Sequence, residues 1–190
     1  MPSVSHPDAK KWNARYREEG DRWLTRHPRP LLTDWLPQLP TNGLALDAAA
    51  GVAIHGRALA HHGLHVIALD IAEVGLRLAL RVARADGFMV ETAVVDLSRL
   101  WLPPHTFDVI VNFRFLERTT FPTYRRALKP GGWLIFETFV RTDPSAPDPD
   151  YYLQRGELRA AFADWNIRHS AEVAGSNGRV TDQLVACKPL

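Results

Sequence analysis

Residues Leu44–Gly56 read L-A-L-D-A-A-A-G-V-A-I-H-G, and the stretch is completed by an acid at Asp70. The apolar opening suits a buried parallel strand that Asp47 closes, and the small residues Ala49, Ala50, Gly51 and Ala53 then require a turn. From Ile54 to His62 the chain has good helix formers, and Gly63 stands where a helix stops. A second apolar run, Val66–Asp70, follows at once. Leu44–Asp70 therefore has the pattern of a βαβ unit with an acid at the tip of each strand, where ligands of α/β sheets bind.

A turn without bulky side chains lets a ligand lie against the backbone. A dinucleotide fingerprint would need glycines at G-x-G-x-x-G spacing, whereas this turn has one central glycine and a carboxylate on its strand side. Such a site favours a cationic or hydroxyl-rich ligand. Asp70 lies 70 − 47 = 23 residues beyond Asp47, the placement of an acid that takes ribose hydroxyls. A nucleoside with a positive neighbour satisfies both acids.

These residues resemble the class I S-adenosylmethionine-dependent methyltransferases. There the first strand ends in an acid and a small-x-Gly-x-small turn, here Asp47-x-Ala49-x-Gly51-x-Ala53, and the second ends in the ribose acid, here Asp70 followed by Ile71. Two of the family's three glycines are alanine. Phe107–Arg118, F-D-V-I-V-N-F-R-F-L-E-R, and Leu128–Phe139, L-K-P-G-G-W-L-I-F-E-T-F, are similar to the family's fourth and fifth strand regions. The resemblance implies a Rossmann-like, doubly wound, mostly parallel seven-stranded sheet with one antiparallel strand from a C-terminal hairpin. Its implied cofactor is S-adenosylmethionine, whose adenine amine would be accepted by Asp96 and a ring nitrogen met by the Leu97 N–H. The alternative for Asp96 is capping the Ser98–Leu100 turn.

The N-terminal segment reads as a helix over Lys10–Glu19 with Trp12 and Tyr16 four apart on one face. The W-N-x-R-Y sequence at Trp12–Tyr16 resembles the tellurite-resistance and thiopurine methyltransferase relatives, in which this segment lids the cofactor. Trp12, Arg15 and Tyr16 are accordingly cofactor candidates, against the alternative that the rings only cover apolar surface. A short helix around Leu31–Leu36, a surface helix over Ala72–Ala85 and a third strand over Met89–Leu97 follow. The fourth strand, Phe107–Phe113, is apolar enough to be buried on both faces, and its tip is the reaction side. There the resemblance implies Asn112 on the cofactor, Phe115 near the acceptor and Arg118 holding an anionic acceptor, while Glu117 stands where the relatives carry a histidine base.

Pro122–Leu128 reads as a helix, Lys129–Gly132 as a tight turn and Trp133–Phe139 as the fifth strand. Val140–Tyr152, rich in Pro and Asp and ending in Tyr151 and Tyr152, reads as an acceptor-site lid, with Tyr151 on the substrate. A helix over Leu158–Phe162 and two strands, Trp165–Val173 and Arg179–Cys187, around the Ser176-Asn-Gly178 turn complete the chain.

The 190 residues carry 23 basic and 21 acidic side chains, a formal charge of +2, which builds no field for nucleic acid or anionic membrane. The expectation is a single domain, 1–190, with a helical cap over 1–40 and a core over 41–190. One cysteine, Cys187, excludes an internal disulfide and a multi-cysteine metal site. His61, His62 and His65 fall at the bottom edge without supporting carboxylates, so no metal is expected. No apolar run reaches membrane-spanning length and no signal-peptide core opens the chain, which reads as cytoplasmic. The expected activity is direct in-line methyl transfer to a small molecule, a thiol or chalcogen oxyanion being preferred. A non-catalytic nucleoside-binding module and a dinucleotide-dependent oxidoreductase are the alternatives.

Overall fold

The computed structural model describes residues 6–143, 145, 149–175 and 178–190. Seven strands form one mixed sheet in the order β3-β2-β1-β4-β5-β7-β6. Two compact units divide the chain, residues 1–100 and residues 101–190.

In the first unit β1 (Leu44–Ala48), β2 (His65–Asp70) and β3 (Val90–Val94) are parallel. The helices are α1 (Pro7–Glu19), α2 (Pro30–Trp35), α3 (Ile54–His61) and α4 (Glu73–Ala85). Proline opens α1 and α2, where its missing N–H costs nothing. The β1 register, Asp47 beside Ala68 and Ala48 beside Leu69, brings the ends of β1 and β2 level. The third strand is shorter than its sequence pattern: an edge strand with little burial, it ends at Val94, and residues 97–99 coil into a 3-10 turn. Helix α4 is the amphipathic surface helix expected, with Arg77 and Arg81 exposed. Gly75, Leu76, Ala79 and Ala83 are buried, and Val74 and Leu78 pack on the cluster of Tyr16, Val52 and Ala72 together with Trp12 and Trp23. Two of its faces are therefore covered.

In the second unit β4 (Phe107–Phe113) pairs parallel with β5 (Leu128–Phe139), which pairs antiparallel with β7 (Val180–Cys187), itself antiparallel to β6 (Asn166–Ala174). Helix α5 (Thr120–Ala127) begins two residues before Pro122, and α6 is Glu157–Ala161. The expected turn at residues 129–132 is instead an irregularity inside β5. Leu128 pairs with Phe107 and Trp133 with Val109, and the intervening backbone bonds elsewhere: Gly131 N–H donates to the Lys188 carbonyl and Lys188 N–H to that of Gly132, each at 2.9 Å. The segment stays in the sheet because its polar groups are satisfied there. Residues 144 and 146–148 of the expected lid, and 176–177 of the expected hairpin turn, lie outside the described residues.

Candidate functional site

The residues after β1 build a left-handed cradle. Ala49, Gly51 and Ala53 have φ of 56°, 57° and 50°, so two alanines adopt a conformation that costs a side-chain-bearing residue about 1–2 kcal/mol. Gly51 is further constrained by contact, since a Cβ there would fall 2.3 Å from the Tyr16 hydroxyl. The turn is fixed by its acids. Asp70 Oδ2 accepts from Gly51 N–H and Oδ1 from Ala72 N–H, both at 2.7 Å. Burial raises the Asp70 pKa against these donors and the Ile71 N–H.

Asp47 is 1% exposed, and its Oδ2 accepts from Gly56 N–H at 2.8 Å. Its carboxylate thus faces the first turn of α3 beneath the cradle. Burial pushes its pKa up to about 7, opposed by the Gly56 N–H and helped by the Asp70 charge. Gly56 is required by the same contact, its added Cβ reaching 2.9 Å from Asp47 Oδ2.

Tyr16 covers the cradle from α1. It stacks on Trp12 with centroids 5.9 Å apart, meets the edge of Trp23 at 5.2 Å, and lies where a Cβ on Gly75 would touch its ring at 2.9 Å. Burial raises its phenol pKa. Arg15 donates to Glu19 at 2.7 Å and lies over the Trp12 and Trp23 rings at 5.4 and 5.0 Å. One residue of the W-N-x-R-Y run had no role in the sequence reading: Asn13 Oδ1 accepts from Val74 N–H at 2.8 Å, capping α4 from a neighbouring helix. Only the residue type hinted at this.

Asp96 accepts from the Ser98 N–H at 3.0 Å and the Ser98 hydroxyl at 2.8 Å. Partial burial raises its pKa, but these bonds outweigh it and the pKa is lowered. Asp96 thus caps the 3-10 turn, beside a buried Leu97. The three histidines are dispersed: His61 packs on Phe88, His62 meets the Leu39 carbonyl and His65 pairs with Glu91. Among the described residues no cluster of His, Cys, Asp and Glu is composed to hold a metal.

In the second unit several expected site residues are engaged internally. Asn112 is fully buried, donating to the Phe115 carbonyl at 2.8 Å and accepting from the Tyr124 hydroxyl at 3.1 Å; its amide shapes the tip of β4. Glu117 accepts from the Thr119 N–H and hydroxyl at 3.1 and 2.9 Å, both on Oε1, which makes it part of the entry to α5. Arg118 forms a fork on Glu157, Nε to Oε1 at 2.6 Å and a terminal nitrogen to Oε2 at 3.0 Å, and also donates to the Asp150 and Tyr152 carbonyls. Its donors tie residues 150 and 152 to α6. Tyr151 stacks on Phe139 at 5.8 Å, and Phe115 is half-buried with its carbonyl taken by Asn112.

The residue that follows β4 stands at the strand tip read from the sequence as the reaction side. Arg114 has φ of 59°; its N–H donates to the Glu137 carbonyl at 2.7 Å and its Nε to Glu137 Oε1 at 3.0 Å. Glu137, 3% exposed, also accepts from Gln183 at 2.9 Å.

Residues 45–132 match the family model of a methyltransferase domain. A ubiquinone biosynthesis O-methyltransferase from Bordetella avium is 30% identical over 125 residues, 61% of this chain and 52% of that protein, so the match spans about half the relative's length. TehB from Haemophilus influenzae shares the fold at a TM-score of 0.75 and 18% identity, over 90% of this chain and 65% of that one. The [4+2]-cyclase SpnF does so at 0.68 and 18%, over 84% and 80%. The fold thus houses more than one reaction.

Proposed function

We propose that this chain, a member of the class I S-adenosylmethionine-dependent methyltransferase family, binds S-adenosylmethionine at the β1–α3 cradle and transfers its methyl group to a small molecule. The observation that carries this reading is the Asp70 carboxylate at the tip of β2, tied to Gly51 and Ala72 beside a left-handed turn. The residues suit the group. A carboxylate offers about four lone-pair sites, so Asp70 keeps capacity for ribose hydroxyls while its two backbone bonds fix its orientation.

Asp70 and Ile71 would hold the ribose side, Asp96 and Leu97 the adenine side, and Ala49, Gly51 and Ala53 the close backbone approach. Tyr16, with Trp12 and Arg15, would close over the turn and exclude water. When bound, the cofactor supplies a methyl group already activated on a sulfonium. The protein's task is then orientation of an incoming nucleophile in line with that methyl, together with exclusion of water. Glu117 is tied to Thr119, which favours a nucleophile that needs no base. A thiolate or chalcogen oxyanion meets that condition near neutral pH, and the likeness of Trp12–Tyr16 to the tellurite-resistance and thiopurine relatives points the same way. A hydroxyl acceptor is the second reading, favoured by the O-methyltransferase relatives.

A methyl-transfer screen over thiols, chalcogen oxyanions, phenols and amines decides between them. Turnover of thiols or chalcogen anions is the expected result, and turnover confined to phenols establishes the second reading. S-adenosylmethionine binding is checked first by calorimetry, with NAD as the contrast; preferential NAD binding overturns the assignment.

A further inference from the structure

Arg114 is one of four non-glycine residues with positive φ among the described residues, and such strain persists where surroundings over-determine it, often at ligand sites. The surroundings here are explicit. Glu137 receives both the Arg114 N–H and its Nε, and is itself held by Gln183, whose amide oxygen lies 3.2 Å from His169 Nε2. This chain of contacts runs across β5, β7 and β6, so the guanidinium is aimed by buried structure. It is aimed over Phe139, 4.4 Å from the ring centroid, and the Arg179 guanidinium approaches the same ring at 5.2 Å. Tyr151, 40% exposed, stacks against that ring from the lid.

Two guanidinium groups and the Tyr151 ring therefore converge on the buried Phe139 ring beyond the end of β4, and the groups that reach the surface there are Tyr151 and the Arg114 side chain, 28% exposed. Planar guanidinium recognises carboxylate through paired hydrogen bonds, and aromatic rings beside it favour a flat apolar body. We infer that Arg114, positioned by Glu137 and seconded by Arg179, is a specificity-determining residue that takes the carboxylate of a flat aromatic acid as methyl acceptor. This rests on the methyltransferase reading and narrows its acceptor class.

The test uses the full chain saturated with S-adenosylhomocysteine and two matched pairs, 4-mercaptobenzoate against 4-mercaptobenzamide and 3,4-dihydroxybenzoate against its amide. Calorimetry should show the acid of at least one pair binding about tenfold or more tighter than its amide. Arg114→Asn, chosen because asparagine tolerates positive φ, should bring that ratio close to one with amide binding retained; it also removes the cation paired with the buried Glu137 and lowers the melting temperature, so binding is read well below the variant's own transition. Arg179→Gln should reduce the ratio in part. Glu137→Gln should lower it with Arg114 intact, a change in selectivity that a purely structural role for Glu137 would not produce. Equal binding of acid and amide by the wild type, a ratio retained in Arg114→Asn, or no binding of either pair overturns the assignment. Loss of selectivity in Arg114→Asn while S-adenosylmethionine itself fails to bind would support the anion site and overturn the methyltransferase reading instead.

Discussion

Asp47 shows how a strand-end acid is readable in sequence while its environment is not. Its position follows from the apolar run before it, but its burial depends on the Gly56 N–H and on Asp70, 23 residues away. The consequence is an inverted pH dependence. Burial raises its pKa from 3.8 to about 7, so the folded chain keeps a proton that the unfolded chain has released. Its contribution to stability falls as pH rises from about 4 to about 7 and stays at the lower level above. Asp47→Asn retains an oxygen for the Gly56 N–H and removes the charge. Urea unfolding of the variant and the wild type should therefore diverge in the variant's favour by about 2–3 kcal/mol between pH 5 and pH 8; parallel stabilities at the two pH values would show that Asp47 does not titrate in this range. Arg118 is the opposite case. Its charge and its place after β4 suggested an anion ligand, yet Glu157, 39 positions on, takes its fork, and local sequence carries no sign of a partner so distant.

At the scale of elements, periodicity located nearly every strand and helix, because the central strands β1, β2 and β4 are buried apolar runs, while the exposed edge strands β3 and β6 are read from β-forming residues and turn signals. What it missed are joints between elements. Asn13 ties α1 to the first turn of α4 through the Val74 N–H, and Arg81 pairs with Asp21 beside it. Replacing Asn13 with alanine should cost about 1 kcal/mol, as capping losses do, and should speed amide exchange in α1 and at Val74 before it affects the strands. The lid is joined similarly, through Arg118 to Glu157 and to the Asp150 and Tyr152 carbonyls. Both side chains are partly exposed, so their pairing is worth only about 1 kcal/mol, but its loss is local. Arg118→Ala and Glu157→Gln should each increase proteolytic cleavage around residues 141–152, and the double variant should add little to either. Additive cleavage rates would show that the two do not act as one clamp.

For the molecule as a whole, the sequence predicts one domain over 190 residues, and within them two compact units are distinguished, residues 1–100 and residues 101–190. The proposed cofactor residues around Asp70 lie in the first unit, and this makes ligand binding a probe of cooperativity. A ligand that binds only the folded form at 100 times its dissociation constant adds about 2.7 kcal/mol, which for a chain of this size raises the melting temperature by about 5–10 °C. If the chain is one cooperative domain, S-adenosylmethionine should move a single calorimetric transition upward as a whole, and NAD at the same concentration should leave it in place. Two transitions, of which only one responds, would show that the units unfold separately and that residues 1–100 contain the binding energy. Asp70→Asn separates the site from the scaffold in the same scan. Measured against its own ligand-free melting temperature, the variant should lose most of the upward shift, because the amide presents a donor where the ribose hydroxyls need an acceptor, and an undiminished shift would place the nucleoside elsewhere on the molecule.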